Sequence, residues 1–225
     1  LMQTGSEVLV FDMDGTLFQT EKVAIPAFYR TFEMLREQGW VQGKAPSEED
    51  IQSVFGMTQT EIWNRLLPEA SDEVKKQADK WWLMHELACI REGMGELYPG
   101  VAETLGDLYA QGWPLYIASN GLGPYIRGIL AYYNLDSLFS GVYSAGEQCI
   151  GEKERLVEKL IQDNGVQSGY MIGDRSSDVR AGKANHLKVV GCRYTDFPQF
   201  AEEDELAGAD WILTSFDQLP SLLKG

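Results

Sequence analysis

Two aspartates one residue apart close a short apolar run, Val8-Leu-Val-Phe-Asp-Met-Asp-Gly-Thr-Leu17. Carboxylates so placed can attack phosphorus, exchange protons or hold a hard cation. Side chains two apart on an extended segment point the same way, so Asp12 and Asp14 converge if the strand runs on. Gly15 permits a sharp or left-handed turn directly afterwards, and Thr16 offers a hydroxyl that can bond a carboxylate or a backbone amide. The same residues also suit a strand ending in an Asx-type turn, where both aspartates cap backbone groups.

Three further polar clusters follow apolar runs. Ser119-Asn120-Gly121 succeeds Leu115–Ala118, and Gly123-Pro124 opens a helix, which gathers a hydroxyl and free backbone N–H groups into an anion-binding arrangement. Gly173-Asp174-Arg-Ser-Ser-Asp178 succeeds Tyr170–Ile172, with one carboxylate at the strand end and a second in the first turn of the next helix. Added to Asp12 and Asp14, these make an oxygen-rich set of the kind Mg²⁺ takes. Lys153, near the start of its own helix, can supply a compensating cation. Singly, each signal also suits a turn, a helix cap or a surface lysine. Jointly they lie beyond the ends of four strands on one sheet edge, where parallel sheets bind ligands.

The elements that must position these groups fall into two kinds. From Tyr98-Pro-Gly100 onward, short strands alternate with helices at βαβ spacing. The strands are Leu115–Ala118, Val142–Tyr143, Tyr170–Ile172, Val189–Val190 and Trp211–Leu213. The helices are Val101–Tyr109, Tyr125–Tyr133, Glu154–Asp163, Val179–Ala184 and Phe216–Leu223. Between the first strand and this region, about eighty residues read as helical. Ile25, Phe28, Phe32 and Leu35 form one stripe, ended by Gly39 as a left-handed cap, with Pro26 expected in the first turn. Ser47 opens a short acidic-fronted helix, Thr58-Gln-Thr-Glu61 is a capping box, and Ser71 caps a long helix with Val74, Ala78, Trp81, His85 and Ala88 on one face. The expected fold is α/β, a Rossmann-like parallel sheet with helices on both faces (residues 1–18 and 98–225), carrying an inserted all-helical cap (19–97). Linkers are expected around Gln19–Lys22 and Gly93–Tyr98.

The chain has 225 residues, 44% of them hydrophobic, which is enough to bury a sizeable core. Nineteen basic against 34 acidic residues give a net charge of −15, which argues against nucleic-acid and membrane-surface partners but leaves room for a small anionic substrate beside a metal. Cys89, Cys149 and Cys192 are odd in number and far apart, fitting neither a disulfide framework nor a zinc site, and the expected compartment is the reducing cytoplasm. Met2-Gln-Thr-Gly-Ser-Glu7 lacks a signal-peptide pattern, and no apolar run approaches a membrane span. A monomer is a plausible state.

The chain resembles the haloacid dehalogenase superfamily, in its Mg²⁺-dependent phosphatase branch, along nearly its whole length. Phe11-Asp-Met-Asp-Gly-Thr16 is similar to the D-x-D-G-T motif, Ser119 to the second-motif hydroxyl, Lys153 to the third-motif lysine and Gly173-Asp-x-x-x-Asp178 to the metal motif. The helical insertion after the first motif resembles the cap of the phosphoglycolate phosphatase and nucleotidase group. The lysine stands in Gly151-Glu-Lys-Glu-Arg155 rather than K-P-x-P. Gly173 replaces the extra acid found in sugar phosphomutases, and Asp14 is an aspartate that the dehalogenases lack. The resemblance implies Asp12 as nucleophile, forming an aspartyl-phosphate, and Asp14 as acid and then base. It also implies Mg²⁺ on Asp12, the Asp14 carbonyl and Asp174, with Asp178 in support, and phosphate held by Ser119 and Lys153, with Thr16 and Asn120 added. The substrate class is a small phosphorylated metabolite, with Arg30, Arg65, Trp81, Trp82 and His85 as candidates either to line the pocket or to pack the cap. The alternatives are a phosphomutase or phosphoryl transferase and a catalytically silent binding protein.

Overall fold

The structure, a computed structural model, describes residues 7–200 and 203–224. The signal-peptide reading of Met2–Glu7 lies outside the described residues except for Glu7.

Strand β1 (Val8–Phe11) is buried at every position and alternates its side chains between two apolar layers. Leu9 and Phe11 join one cluster, Val8 and Val10 the other. Such a strand forms only at the middle of a sheet covered on both faces, which is why it reads as an unbroken aliphatic run. It pairs in parallel with β2 (Leu115–Ser119) on one side and β4 (Gly169–Gly173) on the other. The outer strands are β3 (Phe139–Ser144), β5 (Lys188–Cys192) and β6 (Trp211–Leu213), giving the order β3-β2-β1-β4-β5-β6. The chain builds outward from β1 through β2 and β3, then returns to build β4, β5 and β6. That reversal opens a crevice beyond the carboxyl ends of β1 and β4.

Four helices stand between β1 and the rest of the sheet: α1 (Glu21–Glu37), α2 (Glu48–Gln52), α3 (Gln59–Leu66) and α4 (Asp72–Arg91). The Ile25, Phe28, Phe32 and Leu35 stripe is buried, and Gly39 ends α1 at φ +73°, with Trp40 N donating to Leu35 O. Pro26 lies inside α1 rather than in its first turn, because Val23 and Ala24 are buried and carry the helix upstream of it. The α4 face is also turned from its expected register. Ala78, Trp82, Glu86 and Cys89 point inward, while Trp81 stacks on Trp40. Aromatic packing decides this, since Trp82 meets Phe28 and Trp63 edge to face and gives its indole N–H to Ala24 O.

The remaining helices are α5 (Val101–Ala110), α6 (Gly123–Tyr132), α7 (Ala145–Gln148), α8 (Lys153–Asn164), α9 (Ser176–Ala184) and α10 (Leu219–Leu223). Leu156, Val157 and Leu160 of α8 and Ala181 of α9 cover one face of the sheet, and α5, α6 and α10 cover the other. The chain crosses between sheet and helices twice, and the crossings are tied. Gln19 N donates to Glu96 O at 2.9 Å, Tyr98 N to Leu17 O at 3.0 Å and Gln19 Nε2 to Leu97 O at 3.1 Å. No described helix is long and apolar enough to cross a membrane.

Candidate active site

Asp12 follows β1, Ser119 ends β2, and Asp174 follows β4, so three neighbouring strands deliver the expected residues to one crevice. Lys153 opens α8 and reaches the same point, fully buried, with Nζ 2.7 Å from Asp12 Oδ1 and 2.6 Å from Asp178 Oδ1. Burial alone would lower the lysine's proton affinity, but Asp12 and Asp178 outweigh it and hold the ammonium well above its usual range. The lysine that could have been a solvated surface group is a central cation of the site.

Asp12, Asp174 and Asp178 place carboxylate oxygens within 4.8 Å of one another. Burial, reinforced by Asp12 and Asp178, pushes Asp174 well above the usual carboxylate range. Burial and Asp12 raise Asp178 to about 6 against the opposing pull of Lys153. Asp174 Oδ2 is buried and accepts no hydrogen bond, although Thr16 Oγ1 donates to Oδ1 at 3.1 Å. Asp178 is tied further by the backbone N–H groups of Asp174 and Arg175, both 3.0 Å from Oδ2. Three buried carboxylates beside one ammonium, with an oxygen left unbonded, are the donor set a hard divalent cation satisfies. Gly15 is required here on two counts: its φ is +77°, and a Cβ would stand 2.2 Å from Asp174 Oδ2.

The Asp14 carboxylate does not join this cluster. Its Oδ1 accepts from Thr20 Oγ1 and Tyr125 OH, each at 2.6 Å. Burial raises its proton affinity, and the two hydroxyls and Lys153 hold part of that rise back. Ser119 Oγ accepts from Gly121 N at 3.0 Å, which fixes the hydroxyl at the crevice. Thr16 faces Asp174, and Tyr194 OH donates to its carbonyl. Asn120 directs Nδ2 to Gly56 O at 2.9 Å, joining the sheet edge to the segment between α2 and α3. Arg175 does the same through Phe55 O at 3.1 Å.

The helices roof the crevice into a cavity of about 50 Å³ bordered by Asp12, Asp14, Ser119, Asn120, Tyr125, Trp82 and Glu86 among others. Of the expected roof residues only Trp82 borders it. Arg30 pairs with Glu92, His85 Nε2 sits 3.0 Å from Met34 Sδ, and Arg65 lines a different hollow beside Trp40. Sequence reasoning missed Thr20, Tyr125 and Glu86. A tyrosine on the buried face of the helix after Ser119 was a usable signal, since a buried phenol needs a partner. Glu86 gave none, because a lone glutamate on a helix is ordinarily solvated.

The parallel sheet with its polar groups gathered at one edge places the chain in the α/β class, and its buried acidic cluster is a donor set that fits a divalent cation. The family model of haloacid dehalogenase-like hydrolases matches residues 9–192, and the chain belongs to that family. Among its relatives, pyrophosphatase PpaX of Halalkalibacterium halodurans is 28% identical over 81% of this chain and 82% of its own length. Phosphoglycolate phosphatase of Colwellia psychrerythraea is 29% identical over 97% of each chain. The fold of this chain matches the crystal structure of CbbY from Rhodobacter sphaeroides in complex with phosphate, with a TM-score of 0.81 over 96% of each chain at 22% identity. The protein is thus a haloacid dehalogenase-like hydrolase by family, and its fold is the parallel sheet flanked by helices that the alternation of elements predicts.

Proposed function

We propose that the protein hydrolyses a small phosphomonoester by two displacements at phosphorus, with Asp12 as the nucleophile. The observation that carries this is the division of the two aspartates between unlike networks: Asp12 against Lys153, Asp14 against Thr20 and Tyr125. Carboxylates in separate environments can take separate roles. Lys153 holds Asp12 Oδ1, and the other oxygen forms a bond to phosphorus as the bond to the leaving oxygen breaks. Asp14, whose burial favours the protonated form, gives its proton to the departing alkoxide. It then takes a proton from water, whose oxygen displaces Asp12 from phosphorus and restores the free carboxylate.

Ser119 Oγ and backbone N–H groups of the turn after β2 hold the phosphoryl oxygens, while Thr16 acts by orienting Asp174. Asn120 acts chiefly as the tie to Gly56. Asp12, Asp174 and the Asp14 carbonyl, with Asp178 in support, would hold Mg²⁺, which would supply the charge neutralisation a dianionic phosphoryl group needs to approach a carboxylate. Helices of residues 19–97 serve as a cap that excludes water and meets the leaving group. Gly173 supports hydrolysis over phosphoryl transfer to a second sugar hydroxyl. A Cβ there would stand 2.2 Å from the Asp178 carboxyl carbon, so the extra acid of the phosphomutases has no room. The phosphatase action of the named relatives favours the same chemistry. The setting proposed is the cytoplasm, where all three thiols stay free.

The test is phosphate release from p-nitrophenyl phosphate with Mg²⁺ and with excess chelator. Loss of activity on chelation and its return with Mg²⁺ are expected. Full activity in chelator would overturn the metal assignment, and no release with Mg²⁺ would leave a binding protein.

A further inference from the structure

The cavity over Asp14 has no basic side chain among its lining residues. Its roof is Ala24, Phe55, Ile62 and Trp82, with Glu86 pointing in from α4. Glu86 is 8% exposed, and the charges that act on it are Asp14 and Asp79, both acidic. The cations that could have answered an anion are engaged elsewhere. Lys153 is held by Asp12 and Asp178, and Arg175 by Glu205 and Phe55 O. Arg30 is spent on Glu92. The phosphoryl group, bound on the side of Asp12, would draw on Lys153 and on the metal that Asp12, Asp174 and Asp178 would hold, which leaves neither for a second anion. A second anionic group on the leaving alcohol would find no basic side chain to pair with in this confined, weakly screened space, whether Asp14 and Glu86 are charged or neutral.

Resting on the phosphatase function above, we propose that this site selects phosphomonoesters of small alcohols that carry no second anionic group and offer Glu86 a hydroxyl or ammonium hydrogen-bond donor. Polyol phosphates and amino-alcohol phosphates share that chemistry. Glu86 is then a specificity-determining residue. In either protonation state its carboxyl group can accept such a bond, and burial, which favours the neutral acid, also lets it donate one to a substrate oxygen. The apolar roof excludes water around the carbon chain, and the small cavity limits the alcohol to a few carbons.

The experiment measures kcat/KM with Mg²⁺ for glycerol 1-phosphate, phosphoethanolamine, 2-phosphoglycolate and pyrophosphate, with p-nitrophenyl phosphate as reference. At least one of the first two is expected to exceed both anionic compounds by about tenfold or more, since an anion taken from water into a site with no cation to pair with is strongly disfavoured. Preference between glycerol 1-phosphate and phosphoethanolamine reports whether the donor is a hydroxyl or an ammonium. Glu86→Gln should shrink the preference over 2-phosphoglycolate by about tenfold, and Glu86→Asp should restore part of it. Gln59→Lys, on the rim of the same cavity, brings in a cation and should move selectivity towards the anionic compounds even if Glu86→Gln does not fold. Equal or better turnover of 2-phosphoglycolate or pyrophosphate overturns the proposal while leaving the phosphatase function intact. So does an unchanged preference in folded Glu86→Gln. Failure to hydrolyse even p-nitrophenyl phosphate overturns both.

Discussion

Tyr125→Phe removes one oxygen and leaves the ring in place, so it isolates the bond from the phenol to Asp14. That bond, at 2.6 Å, donates to the carboxylate and favours its charged form. Tyr125 is itself held protonated far above pH 10 by burial and by Asp14, so it remains a donor across any assay range. A hydrogen bond to a buried charge contributes about 1.5–3 kcal/mol, and one pKa unit is about 1.4 kcal/mol. Removing it should raise the Asp14 pKa further, less whatever Thr20 recovers through its own 2.6 Å bond. The sign in kinetics follows from the role. Formation of the phospho-intermediate needs Asp14 protonated, so the basic limb of kcat/KM should move upward in pH. Hydrolysis of the intermediate needs Asp14 ionised, so the acidic limb of kcat should move upward as well wherever that step limits turnover. Turnover at neutral pH should fall while activity at high pH persists. The assay is a pH series with an alkyl phosphate on wild type and Tyr125→Phe. A uniform loss at every pH, with limbs unmoved, would refute the assignment and leave Tyr125 as packing.

Asp12→Asn should abolish turnover of every ester. Asp14→Asn should lose alkyl phosphates yet accumulate phosphoenzyme with an aryl phosphate, whose phenolate leaves without a proton; mass spectrometry that finds no adduct in a folded variant would contradict the division of labour. Gly15→Ala should destabilise the protein by about 1–2 kcal/mol from the left-handed backbone alone and weaken Mg²⁺ affinity by displacing Asp174, measured by thermal melts with and without metal; wild-type metal affinity would refute the contact. Burial, with Asp14 and Asp79, raises Glu86 well above its unfolded value of 4.5, so it binds its proton more tightly when folded and its contribution to stability falls as pH rises above that value. Glu86→Gln should therefore gain stability relative to wild type as pH rises from 4.5, and a difference constant in pH would refute it.

The motif residues were legible because each terminates an apolar strand. Asp12, Ser119 and Asp174 are found at strand ends, and sheet geometry does the rest. Lys153 was legible only by its position near a helix start, since nothing local distinguishes it from a surface lysine. The α4 face was misread by one position because Trp81 and Trp82 are adjacent, and the choice between them is made by Phe28 and Trp63, far away in sequence. The partner of Tyr125 and Thr20 was hidden for a related reason, although a buried phenol on α6 signalled that it needed one: it is Asp14, 111 and 6 residues away, and hydroxyl partners have no periodicity. Strand ends such as those of β3, buried at Ser144 but half-exposed before it, blur the alternation that marks a strand.

Were the helices to swing on the sheet, the two tied crossings at Leu17–Gln19 and Glu96–Tyr98 would be its pin. Because the strands are bonded to each other, neither can slide alone, and a swing of the helices about them is confined to one axis. Thr20, one residue from the pin, would move least in such a swing, and its bond to Asp14 would survive. Gly56 and Phe55, which touch the sheet edge only through Asn120 and Arg175, would have to give up those two bonds for the crevice to open. The doorway can then open for product to leave while the proton-transfer carboxylate keeps its tuning.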